Sequence, residues 1–242
     1  MRVRLLKPAV MSLLTLFLGT VKADVCQWSS SSGLLPDQAC ADFELFSTTN
    51  GERPILSNGS LRIADDTLSE QLFYIAQGEG IALPEIAYAE FGMRYVSGTF
   101  DLASRRAAAV SITTLPSIGS SLYIGKDQIF LLSGLTTIGS SATVDTDDTF
   151  HAYRMEISGK TAGSLVKVWQ DGQLVLTGQS FSSTDTHGNL PRVIFGELSI
   201  RAAGVSEWTY FNTSVVPEPE STALGLIGLL TLAVVKRRRA SR

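Results

Sequence analysis

Apolar and polar positions alternate along much of the central part of the chain. In the segment 86–96 every second residue is apolar, and these residues are Ala87, Ala89, Phe91, Met93 and Tyr95. The segment 149–158 has the same period, with His151, Tyr153, Met155 and Ile157 on one face. A period of two is typical of a β-strand with one face buried. Since no stretch between the two ends of the chain, over residues 24–220, has the period of a long amphipathic helix, the pattern predicts an all-β fold.

Short turn motifs separate these apolar runs. The sharpest is Asp171-Gly172, which lies between two runs rich in Val, Leu and Trp. Asp-Gly readily adopts the positive φ angles of a two-residue hairpin turn. This turn pairs Trp169 with Leu174 and Val168 with Val175 across the hairpin. Strands at this spacing with polar turns predict a two-sheet antiparallel sandwich.

One pair of these strands resembles a known family. The segment 149–157, followed by 166–172, is similar to the concanavalin A-like (LamG-type) jelly rolls, in which an aromatic-His-x-Tyr/Trp strand precedes a strand ending in Asp-Gly. The resemblance implies two curved antiparallel sheets of roughly six or seven strands each. Members of this family bind sugars, bind proteins or hydrolyse glucans. We assign residues 24–212 to such a jelly-roll sandwich domain.

The N-terminal segment has the features of an export signal. Arg2, Arg4 and Lys7 are followed by a mostly apolar run over 9–19, and small residues precede the end at Ala23. This order is typical of a signal helix that a signal peptidase removes. Residues 1–23 are therefore predicted to be a signal peptide.

The C-terminal segment 213–242 has three consecutive parts. Pro217, Glu218 and Pro219 come first, an uncharged apolar run over 223–235 follows, and the chain then becomes basic at Lys236, Arg237, Arg238 and Arg239. At about 1.5 Å per residue this run forms a helix of about 20 Å, which is short for a bilayer core of about 30 Å. We expect a short transmembrane helix whose four cations stay on the cytoplasmic side.

This three-part tail resembles the PEP-CTERM sorting signal of Gram-negative bacteria. The resemblance implies recognition by an exosortase, cleavage near Pro-Glu-Pro, and release or attachment at the cell surface. We therefore expect the protein to be anchored transiently in the inner membrane and delivered to the cell envelope or the extracellular matrix. An ordinary tail anchor and a buried apolar helix with a basic end are the alternatives.

The part of the chain between the two signals is strongly acidic. Nine of the 20 Lys and Arg residues lie in the signals, whereas all 23 Asp and Glu residues lie in the segment 24–220, which leaves that segment with a net charge of −12. A negative field of this size repels nucleic acid. We therefore expect no nucleic-acid partner, while neutral polymers and divalent cations are compatible with the charge.

Cys26 and Cys40 are the two cysteines of the chain, and both lie in the exported part. In an oxidising compartment an even number of cysteines indicates a disulfide. The bridge would close a loop of about 15 residues. It would add about 3 kcal/mol of stability by lowering the conformational entropy of the unfolded chain. A zinc pair is the alternative, but the neighbouring sequence offers no further ligand.

Two places carry candidate binding chemistry. Asp145, Asp147 and Asp148 form an acidic turn, which is either solvated or a site for calcium, because calcium prefers carboxylate and carbonyl oxygens. Trp169 precedes the hairpin turn, where its ring could stack on a sugar. No strand carries the two closely spaced carboxylates of a retaining glycosidase. The sequence therefore predicts no cofactor apart from calcium, and no catalytic residues.

These observations lead to one expected function and two alternatives. We expect an exported, exosortase-processed surface or matrix protein that binds exopolysaccharide or a neighbouring protein without catalysing a reaction. The first alternative is a glycan-cleaving enzyme of the concanavalin A-like glucanase type. The second is a purely structural envelope protein. Fold resemblance alone does not decide among them.

Overall fold

The described part of the chain consists mainly of β-strands. The computed structural model describes residues 27–48, 53–65, 71–77, 81–82, 85–98, 108–114, 118–134, 137–182, 191–198 and 203–217. The strands are β1 (Gln27–Ser29), β2 (Phe43–Ser47), β3 (Ile55–Ser57), β4 (Ser60–Asp65), β5 (Leu72–Gln77), β6 (Ile81–Ala82), β7 (Ile86–Gly98), β8 (Ala108–Thr114), β9 (Ile118–Gly125), β10 (Gln128–Leu132), β11 (Ile138–Thr143), β12 (His151–Ser158), β13 (Leu165–Gln170), β14 (Gln173–Gln179), β15 (Phe181–Ser182), β16 (Arg192–Glu197), β17 (Gly204–Thr213) and β18 (Val216–Pro217). A 3₁₀ turn, Ser30–Ser32, and the short helix α1, Pro36–Ala39, follow β1.

Sixteen of the 18 described strands form two antiparallel sheets, so the predicted jelly-roll sandwich is confirmed, while β6 and β18 pair with each other. The first sheet has the order β14-β13-β12-β7-β17-β4-β3, and β1 also pairs with β17. The second has the order β11-β10-β9-β8-β16-β5-β2, and β15 also pairs with β9. Each sheet thus contains eight strands, more than the six or seven expected. The predicted terminal helices lie outside the described residues, within which no helix is long and apolar enough to cross a bilayer.

The alternation found in the sequence decides which face of each strand is buried. On β7 the alternating set that ends at Tyr95 points into the core, as predicted. The core is rich in aromatic rings that join the two sheets. Phe195 of the second sheet stacks on Phe211 of the first at 4.3 Å between ring centroids. This face-to-face packing buries one side of each sheet and leaves the two outer faces pointing in opposite directions.

The β13–β14 hairpin has the predicted turn but a different register beyond it. Asp171 and Gly172 have φ angles of 50° and 79°, and Trp169 pairs with Leu174 as expected. Val168, however, pairs with Leu176, so the predicted pairing of Val168 with Val175 is wrong. The register shift indicates a bulge, in which one strand contributes an additional residue.

A close approach on the outer face of the first sheet requires a glycine in β7. Gly92 faces the segment of β17 where the register shifts between Trp208 and Tyr210. A Cβ atom at Gly92 would lie 2.6 Å from the ring of Tyr210 and would also clash with the hydroxyl oxygen of Thr209. A side chain at this position would therefore require the side chains of Thr209 and Tyr210 to move.

A carboxyl group lies in the core at the far end of β16. Glu197 has 5% of its surface exposed and accepts a hydrogen bond of 3.0 Å from the hydroxyl of Ser206. The Ser206 oxygen in turn accepts one of 2.9 Å from the indole N–H of Trp208. Burial raises the pKa of Glu197 to about 7, the Ser206 bond partly offsets this rise, and the fully buried Asp65 adds to it. The folded protein thus keeps Glu197 protonated up to a higher pH than the unfolded chain does.

Candidate functional site

The strand registers bring Glu90, Arg154 and Trp169 together on the outer face of the first sheet. Arg154 of β12 is opposite Glu90 of β7 on one side and opposite Trp169 of β13 on the other. A pocket of about 200 Å³ opens beside this row and is also lined by Ala152 and Gly172. The prediction that Trp169 binds a ligand stays a prediction, but its half-buried ring borders a real concavity.

Arg154 is fixed by three neighbours on the same face. Its Nη1 donates a hydrogen bond of 3.3 Å to Glu90, and its Nε donates one of 2.7 Å to Glu156. The guanidinium also lies 4.4 Å from the centre of the Tyr88 ring. Burial lowers the pKa of Arg154, but the hydrogen bond and the charge of Glu156, with that of Glu90, outweigh burial and raise it. Arg154 therefore orders the face before any ligand binds.

His151 links the hairpin turn to the acidic loop. Its Nδ1 is 2.6 Å from Asp171, and its Nε2 is 3.1 Å from Asp148. Asp171 also accepts a hydrogen bond of 2.9 Å from the backbone N–H of Ala152. His151 lies on the buried face of its strand, as the alternation predicted, and both of its ring nitrogens have a carboxylate partner. With a carboxylate at each ring nitrogen, it holds the hairpin turn and the acidic loop together.

The same contacts raise the pKa of His151 and lower the pKa of Asp171. Burial lowers the pKa of His151, but the hydrogen bonds with Asp171 and Asp148 outweigh burial and raise it above its ordinary value. Burial raises the pKa of Asp171, but the hydrogen bonds with His151 and with the Ala152 N–H outweigh burial and lower it. The charged pair is therefore favoured, which stabilises the turn beside Trp169.

The three aspartates of the predicted calcium turn do not form one group. Asp145 belongs to two clusters, one with Asp148 and His151 and one with Asp127 and Asp147, and within each cluster the ligand atoms lie within 4.8 Å of one another. The second cluster offers only oxygen ligands, which suits a hard cation better than a set that includes imidazole. Sequence reasoning missed Asp127, because it comes from the β9–β10 turn, well before the acidic segment.

A second concave region lies on the outer face of the second sheet. It has a volume of about 160 Å³. Residues of β8, β9, β10, β15 and β16 and Leu198 line it, namely Ser111, Thr113, Gly119, Ser121, Tyr123, Leu132, Phe181, Arg192, Ile194 and Leu198. We call it the groove. Sequence reasoning missed the groove entirely.

The groove combines an aromatic wall with polar groups. Tyr123 stacks on Phe130 at 5.2 Å with nearly parallel rings. The hydroxyls of Ser111 and Ser121 share a hydrogen bond of 2.9 Å. Arg192 is half-buried, and burial lowers the pKa of its guanidinium. Apolar surface with a few convergent polar groups is the usual composition of a small-molecule or sugar site.

Most of the predicted sorting and disulfide residues lie outside the described part of the chain. This applies to Cys26 and to residues 218–242, so the disulfide with Cys40 and the PEP-CTERM tail stay predictions. Pro217 is described, as the last residue of β18, which pairs with β6.

Comparison with known proteins finds similar folds but no matching sequence family. No protein-family model and no curated protein matches this sequence. The fold is similar to that of a carbohydrate esterase from the Shiga toxin-encoding bacteriophage phi24B, with a TM-score of 0.54, 13% identity, and coverage of 79% of this chain and 97% of that one.

It is also similar to the Crh5 transglycosylase, with a TM-score of 0.51, 11% identity, and coverage of 81% and 86% of the two chains. The alginate lyase Aly36B has a TM-score of 0.48 and 14% identity over 81% and 94%. The chain is thus a β-sandwich of a type found in carbohydrate-active proteins.

These structures correct one prediction. The sequence predicted a protein without catalytic activity, yet the carbohydrate esterase and the Crh5 transglycosylase, which both match with TM-scores above 0.5, are enzymes. That prediction is wrong, and the alternative of a glycan-active enzyme is the better supported one. The error came from testing the strands for a single arrangement, two carboxylates on one strand, when the same sandwich carries other chemistries.

Proposed function

We propose that the protein is an enzyme that acts on an acidic polysaccharide bound in the groove of the second sheet. The observation that carries this proposal is the groove itself, in which an aromatic wall, paired hydroxyls and a guanidinium converge on the outer face of a jelly roll. Its general link to carbohydrates is supported by the esterase and the transglycosylase that share the fold.

Arg192 favours a carboxylate-bearing sugar. Guanidinium groups bind carboxylates through two parallel hydrogen bonds, and they remain charged at all ordinary pH values. None of the described residues that line the groove is an Asp or a Glu, so an anionic sugar would not meet a like charge among these residues. The body as a whole is acidic, and this arginine would supply the local attraction.

The same lining bears on the type of reaction. Hydrolysis by the two-carboxylate mechanism needs acidic residues about 5 to 9 Å apart, and the described lining does not provide them. Tyr123 carries the phenol of the groove, and a tyrosine can transfer a proton in general acid–base catalysis. A uronic acid whose carboxylate is paired with Arg192 has a more acidic neighbouring C–H. The groove therefore favours cleavage by β-elimination, in which the C5–H and C4–O bonds of the uronic acid break and a C4=C5 double bond forms. Tyr123 accepts the C5 proton and donates a proton to the leaving glycosidic oxygen.

The test compares acidic and neutral polymers as substrates. We expect the purified protein to shorten a polyuronate and to form new ultraviolet-absorbing double bonds at the cut ends, with no turnover of β-glucans. Tyr123→Phe should lower kcat by about 10²- to 10⁴-fold, and Arg192→Ala should mainly raise KM. Tyr88→Phe, on the opposite outer face, is the matched control. Turnover of neutral glucans alone, or a fully active Tyr123→Phe variant, would overturn the proposal.

The two terminal segments support a proposed location. An exported protein that an exosortase processes at Pro217, Glu218 and Pro219 would meet polysaccharide in the cell envelope or the extracellular matrix. The support is the order and spacing of the two signals in the sequence. Mass spectrometry of the mature chain is the test, since intact termini at residues 1 and 242 in a cytoplasmic fraction would contradict it.

The oxygen-only cluster supports calcium as the ion of the acidic loop. Asp127, Asp145 and Asp147 would supply the carboxylates, which is the donor type that calcium prefers. Bound there, the ion would offset the mutual repulsion of the three carboxylates. Its role would be structural, since the cluster belongs to the turns that follow β9 and β11.

A further inference from the structure

The pocket beside Trp169 is the strongest feature that the groove does not explain. It lies on the outer face of the first sheet, whereas the groove lies on the outer face of the second. The two concavities therefore open on opposite sides of the sandwich. One ligand unit cannot occupy both.

The charges around this pocket cancel. Arg154 is bound by Glu90 and Glu156, and Lys167 is opposite Glu156 on the neighbouring strand. An anionic ligand would meet Glu90 and a cationic ligand would meet Arg154, so neither sign is favoured. Both side chains can still exchange hydrogen bonds with hydroxyl groups, since carboxylates accept and guanidinium groups donate. The pocket thus fits an uncharged, hydroxyl-rich ligand.

The shape of the pocket suits a flat ring. Trp169 is half-buried and provides an aromatic surface along one side. Ala152 and Gly172 are small, and a Cβ atom added at Gly172 would meet no heavy atom within 4 Å. Asp171 is held by His151 and by the Ala152 N–H, which keeps the turn beside the pocket in place. Little ordering cost therefore remains to be met when a ligand binds.

We propose that this pocket is a second carbohydrate-binding site, specific for a neutral sugar unit, and separate from the groove. The sugar ring stacks on Trp169, and its hydroxyls bond to Glu90 and Arg154. This inference does not depend on the reaction proposed for the groove. It predicts that the protein holds a neutral glycan on one face while the other face is free or occupied.

The three tryptophans give a direct readout. Trp28 and Trp208 have 1% and 0% of their surface exposed, whereas Trp169 is half-buried. A sugar stacking on an indole should therefore change the fluorescence of Trp169 alone. We expect β-glucan oligosaccharides to shift this emission in a saturable way, and polyuronate oligosaccharides to leave it unchanged.

Variants test the site without relying on activity. Trp169→Ala should abolish the fluorescence change and weaken neutral-sugar binding, measured by calorimetry, by about tenfold or more. Trp169→Phe should restore part of the affinity. Glu90→Gln should weaken binding less, since an amide still bonds to hydroxyls. The matched control is Ile55→Ala, which truncates an apolar side chain that is 62% exposed on the edge strand β3.

Three outcomes would overturn the proposal. They are an unchanged affinity in Trp169→Ala, preferential binding of the acidic oligosaccharide at Trp169, and loss of neutral-sugar binding in Arg192→Ala. The last would assign neutral-sugar binding to the groove. If the groove proposal fails instead, Arg192→Ala and the parent protein still bind the neutral oligosaccharide equally, so the two failures are distinguishable.

Discussion

Glu197 allows a quantitative test of the core, because its carboxyl group titrates in an environment that disfavours charge. Burial raises its pKa from 4.5 to about 7. The unfolded chain releases this proton near pH 4.5, whereas the folded protein keeps it until about pH 7. Between these values unfolding releases a proton, so the free energy of unfolding falls as pH rises. The stability that the protonated Glu197 provides, relative to the ionised form, is complete below pH 4.5 and is lost above pH 7.

The magnitude follows from the size of the shift. At about 1.4 kcal/mol per pKa unit, the whole window corresponds to about 3 kcal/mol, and the range from pH 5 to pH 8 covers about 2.5 kcal/mol of it. Glu197→Gln keeps the shape of the protonated side chain and removes the ionisation. The difference in unfolding free energy between this variant and the parent should therefore increase by about 2.5 kcal/mol from pH 5 to pH 8.

Urea denaturation at several pH values measures this difference. His151 and Asp171 also make stability depend on pH, but they are present in both proteins and cancel in the comparison. Glu44→Gln, at an exposed position on β2 of the same sheet, is the control and should give parallel curves. If the Glu197→Gln curve also runs parallel to that of the parent, the buried carboxyl group does not titrate as argued.

Three further predictions concern stability. Cys40→Ser should lower the unfolding free energy by about 3 kcal/mol under oxidising conditions, with no effect of reductant on the variant; an unchanged melting temperature would exclude the bridge to Cys26. Gly92→Ala should cost about 1 to 3 kcal/mol through its clash with Tyr210, and calorimetric melting checks this; a neutral effect would contradict the close approach of β7 and β17. Calcium should raise the melting temperature of the parent but not of Asp127→Asn, with Asp42→Asn as the control; an equal rise in both variants would place the ion elsewhere.

The parts of the fold that were predicted correctly are the strands with one solvent-exposed face and one buried face. On β7 and β12 the sequence alternates because only one side of each strand is buried, so the buried set could be identified. The Asp171-Gly172 turn was predicted because few residue pairs tolerate its φ angles. The register beyond Trp169 was not, since a bulge leaves no mark in the alternation.

The groove could not be predicted for the opposite reason. Every residue of β9, Ile118 to Gly125, is buried, so its two faces look alike in the sequence. Tyr123 and Ser121 then cannot be told from core residues, although they line the groove. Its members also come from five strands and a following loop residue, and only the sheet order brings Arg192 of β16 near them. Asp127 was missed in the same way, through a contact that sequence spacing does not encode.

The pairing of β1 with β17 has a consequence for how the chain acquires its structure. Gln27 is opposite Asn212, so strands from the two ends of the body are neighbours in the first sheet. β17 also lies between β7 and β4. During synthesis the first sheet therefore remains incomplete until β17 has left the ribosome. Until then the edges of β7 and β4 that face β17 lack their partner strand, and such unpaired edges are open to pairing with another chain.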